Sequence, residues 1–196
     1  MISKHDIELL VRARAGERRL QTELKKDLSI LAETYAIPKD EFIAFSEFPI
    51  GNGTVDFVIF TSRSRMEIIL MEVKGADFNF SNTNGSVAAA INLAAQQLRE
   101  RFYNILLNYE PFRRNVHDIR HSVEAGNKRY NSLQGPKGRL LVDPHKDVNY
   151  RGVVIGGRTR DDRLESKLKM QMELIAASPR ITYESWDSWL GKLTRA

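Results

Sequence analysis

Two neighbouring apolar segments carry charged residues in their interiors, and this feature constrains the fold more than any other in the sequence. Residues 54–60 and 68–75 have the sequences TVDFVIF and IILMEVKG, which are rich in the β-branched and large apolar residues typical of buried strands. Asp56 interrupts the first segment, and Glu72 and Lys74 interrupt the second. Because burying an unpaired charge costs on the order of several kcal/mol, these side chains need partners, either each other or a metal ion.

The length of the connection between the two segments decides whether the two carboxylates meet. It runs through residues 62–65. A loop of three or five residues places Asp56 directly opposite Glu72 in an antiparallel pair, with both side chains on one face, whereas a four-residue loop shifts the register by one. Glu72 and Lys74 are two residues apart and share a face in either case.

These residue types favour an oxygen-ligand metal site. Two carboxylates about 4 Å apart repel by roughly 4 kcal/mol at an effective dielectric of 20, and a divalent cation offsets that repulsion. Since the chain has no cysteine and four histidines, oxygen ligands from Asp56, Glu72 and the carbonyl of Val73 favour Mg²⁺, with Mn²⁺ second. With Lys74 beside it, such a site suits metal-assisted phosphodiester hydrolysis. The alternative is a simple Glu72–Lys74 ion pair on an edge strand, with Asp56 at a strand start.

The rest of the pattern predicts an α/β protein in which helices flank a mixed sheet, in a single domain over residues 1–196. Ser3 and Asp6 are typical of a capping box and predict a helix that reaches about residue 35, with Gly16 as an interruption. A strand is predicted over 42–48 and a helix over 87–109, which Pro111 is expected to end. The apolar stripe of this helix comprises Ile91, Ala94, Leu98, Phe102 and Ile105.

The C-terminal part is predicted as strand, helix, strand and helix. The strands cover 151–157 and 180–183, and the last helix covers 184–193. The helix between the strands is expected to run from Asp161 or Asp162 to Ala177, with an apolar stripe of Leu164, Leu168, Met172 and Ile175.

Positive charge is concentrated in one region. Residues 111–160 contain 11 Lys and Arg against 4 Asp and Glu, and within them 113–149 is predicted to be a basic, largely irregular insertion. A local excess of this kind suits nucleic acid, although a solvated loop is the alternative. The candidates for phosphate contacts are Arg113, Arg114, Arg120, Lys128, Arg129, Lys137 and Arg139. His117, His121 and His145 are expected to be exposed or to contact phosphate, because their spacing matches no metal motif.

Composition also excludes several classes of protein. Without cysteine the chain has no disulfide framework, no Cys-type zinc site and no thiol nucleophile, which fits a reducing cytoplasm. The first residues show no basic segment followed by an apolar one, and no apolar run approaches the roughly 18 residues of a membrane span. We therefore expect a cytoplasmic protein without a membrane-embedded part.

The charged segments resemble the signature of a known nuclease superfamily. Residues 55–57 followed by Met71-Glu72-Val73-Lys74 resemble the PD-(D/E)XK motif, with valine before the aspartate instead of proline. More narrowly, the chain resembles the Shedu (SduA) family of anti-phage defence nucleases. Four further segments carry the resemblance: Glu17-Arg-Arg-Leu-Gln21, Gln97-Leu98, Val153-Val-Ile-Gly-Gly-Arg158 and Ile181-Thr-Tyr-Glu-Ser185.

The resemblance implies a Mg²⁺-dependent DNA endonuclease with a restriction-endonuclease-like core, acting in anti-phage defence and working as a dimer or tetramer. It assigns Glu17 as an additional metal ligand and Gln97 as a residue that supports Lys74 or contacts the nucleic acid. A solvated helical charge and a plain surface residue are the respective alternatives. Residues 102–107, Trp186 and Trp189 are expected in either an oligomer interface or the core.

Two other functions stay open at this point. One is a DNA-binding module that keeps the nuclease fold while its cleavage is regulated or lost. The other is a DNA repair or recombination nuclease that uses the same site residues. The first predicts salt-sensitive binding without a metal-dependent product.

Overall fold

A six-stranded mixed sheet forms the centre of the protein, which confirms the predicted fold class. A computed structural model describes residues 2–175 and 178–195. The strand order in this part of the chain is β4-β1-β2-β3-β5-β6; β1 to β4 are joined by antiparallel pairs, and β3, β5 and β6 are parallel. The strands are β1 Phe42–Ile50, β2 Gly53–Thr61, β3 Glu67–Val73, β4 Leu133–Gln134, β5 Asn149–Ile155 and β6 Ile181–Glu184.

Helices cover both faces of the sheet. One face packs against α1, α2, α3 and α7, and the other packs mainly against α4 and α5. Each face has its own apolar core because successive strand residues point to opposite sides. The helices in the described residues are α1 Lys4–Arg12, α2 Glu17–Leu24, α3 Ser29–Tyr35, α4 Ala89–Leu107, α5 Tyr109–Glu124, α6 Asp162–Ile175 and α7 Trp186–Leu190.

The register of β2 against β3 is the one that brings the carboxylates together. Thr61 pairs with Glu67 across a five-residue connection, and the ladder continues to Phe57 opposite Met71. One step further in the same register places Asp56 opposite Glu72. The five-residue alternative considered from the sequence is therefore the observed one.

The N-terminal region consists of three short helices: the predicted interruption at Gly16 is confirmed, and a second break, between α2 and α3, was not predicted. The capping box is confirmed, since the Ser3 hydroxyl accepts from the Asp6 N–H and the Asp6 carboxylate accepts from the Ser3 N–H. Arg14 has a φ of 52°, a left-handed conformation that ends α1, and Gly16 becomes the N-cap of α2. The break places Glu17 in the first turn of α2.

The segment after α4 is more regular than predicted. Helix α5 occupies 109–124, so the first third of the expected irregular insertion is helical. The prediction that Pro111 ends α4 is wrong: α4 already ends at Leu107, and Pro111 lies in the first turn of α5, where its missing N–H has no intrahelical partner to lose. The expected stripe of α4 is confirmed, with all five residues buried.

The C-terminal elements match the prediction in order and differ in detail. Helix α6 begins at Asp162, capped by the Asp161 carboxylate, and its predicted end at Ala177 lies outside the described residues. Ile175 is 82% exposed, so the predicted stripe is wrong at that position. Trp186 and Trp189 are fully buried and belong to the core. Among the described residues, no helix combines the length and apolarity that a membrane crossing needs.

Candidate metal-dependent active site

The candidate site lies where β2 and β3 separate, at the carboxyl end of β3. In an α/β sheet with parallel strands, this end is where ligands usually bind. The Val73 N–H donates to Asp56 Oδ2 at 2.8 Å. Just beyond the last backbone pair of β2 and β3, a side-chain oxygen is therefore the acceptor. Asp56 is thereby fixed at the end of the strand pair.

Asp56 and Glu72 lie opposite each other in the strand register, close enough for each carboxyl group to shift the pKa of the other. Glu72 is only 3% exposed. Burial and the neighbouring Asp56 charge raise the pKa of Glu72 to about 8, although Lys74 and Arg101 oppose the shift. Burial also raises the pKa of Asp56, against the effect of the Val73 N–H and of Lys74. At neutral pH the pair therefore shares a proton when no other cation is present.

The donor set fits a divalent cation that prefers oxygen. A cation can replace the shared proton, and the Val73 carbonyl lies in the same strand end as Glu72. Within residues 2–175 and 178–195 no group of three or more His, Cys, Asp or Glu is arranged to hold a metal. The residues that would hold such an ion are Asp56, Glu72 and the Val73 carbonyl, a set that would suit Mg²⁺ with several waters.

Lys74 is buried beside the two carboxylates. Its N–H donates to the Ile155 carbonyl at 2.7 Å, and its carbonyl accepts from Trp186 Nε1 at 2.9 Å, which fixes the backbone on both sides. A Cβ at Gly156 would lie 2.7 Å from the Lys74 Cβ, so glycine is needed for this close approach. Lys74 Nζ lies 3.2 Å from Glu17 Oε1.

Glu17 reaches the site as the direct partner of Lys74, and its charge also contributes to the raised pKa of Asp56. Its Oε1 also accepts from Gln21 Nε2 at 3.3 Å, and the same nitrogen lies 3.5 Å from the Val73 carbonyl. The sequence-based assignment of Glu17 to the site is thus compatible with its position, but its contacts are with a cation and an amide. The N-terminal helices contribute to the site by holding the Lys74 ammonium in place.

Helix α4 carries two polar residues on one face, Gln97 and Arg101, and the charge of Arg101 acts on the site. Gln97, assigned from the resemblance, is half-buried, and its Oε1 is buried without a hydrogen-bond partner in the described residues. The positive charge of Arg101, one turn further along, acts to lower the pKa of Glu72. Arg101 was not identified from the sequence. The spacing of four residues from Gln97 was the available signal, because it places both side chains on one helix face.

The basic residues do not form one surface around the site. Tyr130, which directly follows Lys128 and Arg129, has a carbonyl that accepts from Ser46 on β1, toward the end of the sheet where the site lies. Lys137 lies at the opposite end, where its N–H donates to the carbonyl of Asp40 just before β1 begins. The exposed members of the predicted set are Arg114, Lys128, Arg129, Lys137 and Arg139.

Two of the predicted phosphate contacts are occupied within the chain. Arg120 is 4% exposed and pairs with Glu124 at 3.1 Å, so the prediction that it meets a phosphate is not supported. Arg113 donates to the Pro144 carbonyl at 2.7 Å and to Glu110 at 3.1 Å. Both residues stabilise the α5 region through these bonds.

His117 is buried, which contradicts the expectation of an exposed histidine. Its side chain is in the apolar layer under α5, and both ring nitrogens are buried without a hydrogen-bond partner in the described part of the chain. Burial, together with the charges of Arg120 and His121, lowers the pKa of His117 to about 4. It is therefore a neutral core residue at physiological pH.

Comparison with known protein families identifies a match over most of the chain. A family model described as "Shedu protein SduA, C-terminal" matches residues 14–190. The match covers all the strands and the residues of the candidate site. A search of curated proteins found no match.

Proposed function

This chain belongs to the Shedu family, through its SduA C-terminal region, and on that premise we propose that it is a Mg²⁺-dependent DNA endonuclease of an anti-phage defence system. One observation carries the proposal: half-buried Asp56 and buried Glu72 form a carboxyl pair beside the buried Lys74 side chain at the end of a strand. Charges in such an arrangement are costly to the fold unless they have a ligand or a reaction to serve.

The chain's own oxygen atoms would hold the metal ion. Asp56 and Glu72 supply carboxylates, and Val73 supplies its carbonyl. When bound, Mg²⁺ lowers the pKa of a coordinated water and neutralises charge on phosphate oxygens. After burial, the charge of Asp56 is the main cause of the raised pKa of Glu72. A divalent cation beside the pair would offset that charge, so it would help Glu72 to release its proton.

Lys74 supplies a positive charge from a side chain that is largely buried. Its side chain is 9% exposed and is held by Glu17 at 3.2 Å. A fixed ammonium in such a site stabilises a phosphoryl oxygen that gains negative charge, and it orients the attacking water. Glu17 keeps the ammonium on the side of the site that faces the N-terminal helices, so we assign it a positioning role.

The proposed partners are DNA and further copies of the same chain. Lys128 and Arg129 are exposed near the site end of β1 and are suited to phosphate contacts. On the outer side of α4, Tyr103, Leu106 and Leu107 are each more than 60% exposed, and an apolar surface of this kind supports association into an oligomer.

The test is a cleavage assay on linear, circular and phage DNA with either Mg²⁺ or EDTA. Wild type should give products only with Mg²⁺, and Asp56→Asn, Glu72→Gln and Lys74→Ala should give none while they remain folded by circular dichroism. Glu67→Gln is the matched control, because Glu67 lies on the same strand but pairs with Arg151 at 2.9 Å.

The assay also separates this function from its alternatives. Cleavage by Lys74→Ala at the wild-type rate would contradict the role of Lys74. Salt-sensitive DNA binding by wild type without any Mg²⁺-dependent product would instead identify a DNA-binding module. Strong preference for branched or broken DNA over intact phage DNA would favour a repair nuclease.

A further inference from the structure

Arg101 lies between the β1–β2 turn and the carboxyl pair. Helix α4 crosses the sheet so that Asn104 lies over Gly51 and the Arg101 guanidinium lies over Gly53. Gly53 is the first residue of β2, three residues before Asp56. The guanidinium is therefore held beside the strand that carries the first carboxylate of the site.

Gly53 has no conformational need to be glycine. Its φ lies outside the left-handed region, unlike that of Gly51 at 60°, so an L-residue can adopt its backbone conformation. A Cβ at position 53, however, would lie 2.6 Å from Cζ of Arg101. The absence of a side chain at 53 thus serves to seat the guanidinium.

The Arg101 guanidinium is not used by the fold. In residues 2–175 and 178–195 no carboxylate or carbonyl forms a hydrogen bond or ion pair with it, and its Nε is buried without a partner. Gln97, one turn earlier, also has a buried oxygen without a partner there. Two unpartnered polar groups one turn apart on a helix, of which Arg101 is close enough to act on Glu72, indicate a missing ligand.

We propose that Arg101 forms a phosphate-binding subsite next to the Asp56–Glu72 pair and contacts the backbone of the bound DNA strand there. A planar guanidinium with free N–H groups is well matched to a phosphate, which it binds through two parallel hydrogen bonds. Its position over Gly53 fixes where the strand passes the carboxyl pair. This inference rests on the proposed DNA endonuclease function.

The test compares Arg101→Ala, Arg101→Lys and Gly53→Ala with wild type. Single-turnover cleavage is measured with Mg²⁺, and binding of a fluorescein-labelled DNA duplex is measured against KCl concentration in EDTA. Arg101→Ala should lower the cleavage rate by about 10²-fold or more and reduce the salt slope of binding by about 1. Arg101→Lys keeps the charge but not the paired hydrogen bonds, so it should retain the slope and lose part of the rate.

Gly53→Ala is the second, independent variant. Because a methyl group displaces only the flexible end of Arg101, the protein should fold with a melting temperature close to that of wild type while its cleavage rate falls toward that of Arg101→Ala. Arg99→Ala is the matched control, since Arg99 is on the same helix but is exposed and lies 3.4 Å from the Tyr183 hydroxyl. It should cleave as wild type does.

The outcomes separate the inference from the function on which it rests. If wild type cleaves and Arg101→Ala cleaves within threefold of it with an unchanged salt slope, the subsite is refuted and the nuclease function stands. If Arg101→Ala and Gly53→Ala lose activity only in proportion to lost stability, Arg101 has a structural role and the subsite is also refuted. If wild type neither binds nor cleaves DNA, the proposed function fails and the subsite fails with it.

Discussion

Replacing Glu72 by glutamine should stabilise the metal-free protein while it abolishes catalysis. In the unfolded chain the carboxyl group titrates near 4.5, whereas in the folded protein burial and the Asp56 charge raise the pKa of Glu72 to about 8. The folded state therefore keeps a proton that the unfolded state releases, so wild-type stability falls as the pH rises from about 4.5 to about 8 and then levels off. At 1.36 kcal/mol per pH unit, the loss is about 3 kcal/mol at pH 7 and at most about 5 kcal/mol above pH 8.

Glutamine does not titrate and retains an N–H group that can donate to Asp56, as the protonated Glu72 does. Urea unfolding in EDTA should show Glu72→Gln and wild type converging near pH 4.5, with the variant more stable by about 3 kcal/mol at pH 7. Mg²⁺ should raise the melting temperature of wild type and not that of the variant. Glu67→Gln should show no stability gain. A Glu72→Gln protein that is equal to or less stable than wild type at pH 9 would refute the reasoning.

Three other predictions follow from the contacts around the site and the core. Glu17→Gln should lower the cleavage rate by about tenfold at unchanged DNA affinity in a binding titration, because it frees the Lys74 ammonium without removing a ligand. His117→Leu should reduce the loss of stability on going from pH 7 to pH 5 by roughly 1 to 2 kcal/mol in urea unfolding, since the pKa of His117 is held near 4 in the fold and the unfolded state alone gains the proton. The double variant Lys128→Ala/Arg129→Ala should weaken DNA binding at low salt and reduce the salt slope by about 1 to 2; an unchanged slope would place the DNA elsewhere.

Much of the fold and the chemical centre of the site could be predicted because both rest on local periodicity. The apolar stripe of α4 and the charged positions of β2 and β3 follow from residue spacing within each segment. Whether Asp56 lies opposite Glu72 depends only on the length of the loop between the two strands. The break at Gly16 could be predicted from the glycine itself, whereas the second break, between α2 and α3, could not be read from the helical period.

Residues that come together through tertiary structure were the harder ones. The burial of His117 depends on which face of α5 packs against the sheet. That packing involves residues far away in the chain, so it could not be predicted from the sequence of the segment. Arg101 was overlooked because its significance comes from Gly53, nearly fifty positions away, and a glycine beside a turn is normally explained by the turn. Arg120 was misassigned because a local charge excess does not reveal which cations are already paired.

The hydrogen bond from the Val73 amide to Asp56 provides a built-in spectroscopic reporter. The chemical shift of that amide proton depends directly on the charge and occupancy of the carboxylate that accepts it, at 2.8 Å. In an NMR titration, the Val73 amide resonance should therefore follow proton loss and Mg²⁺ uptake at the site with no nucleic acid present. A single backbone signal can thus monitor the centre of the molecule even in variants that have lost all cleavage.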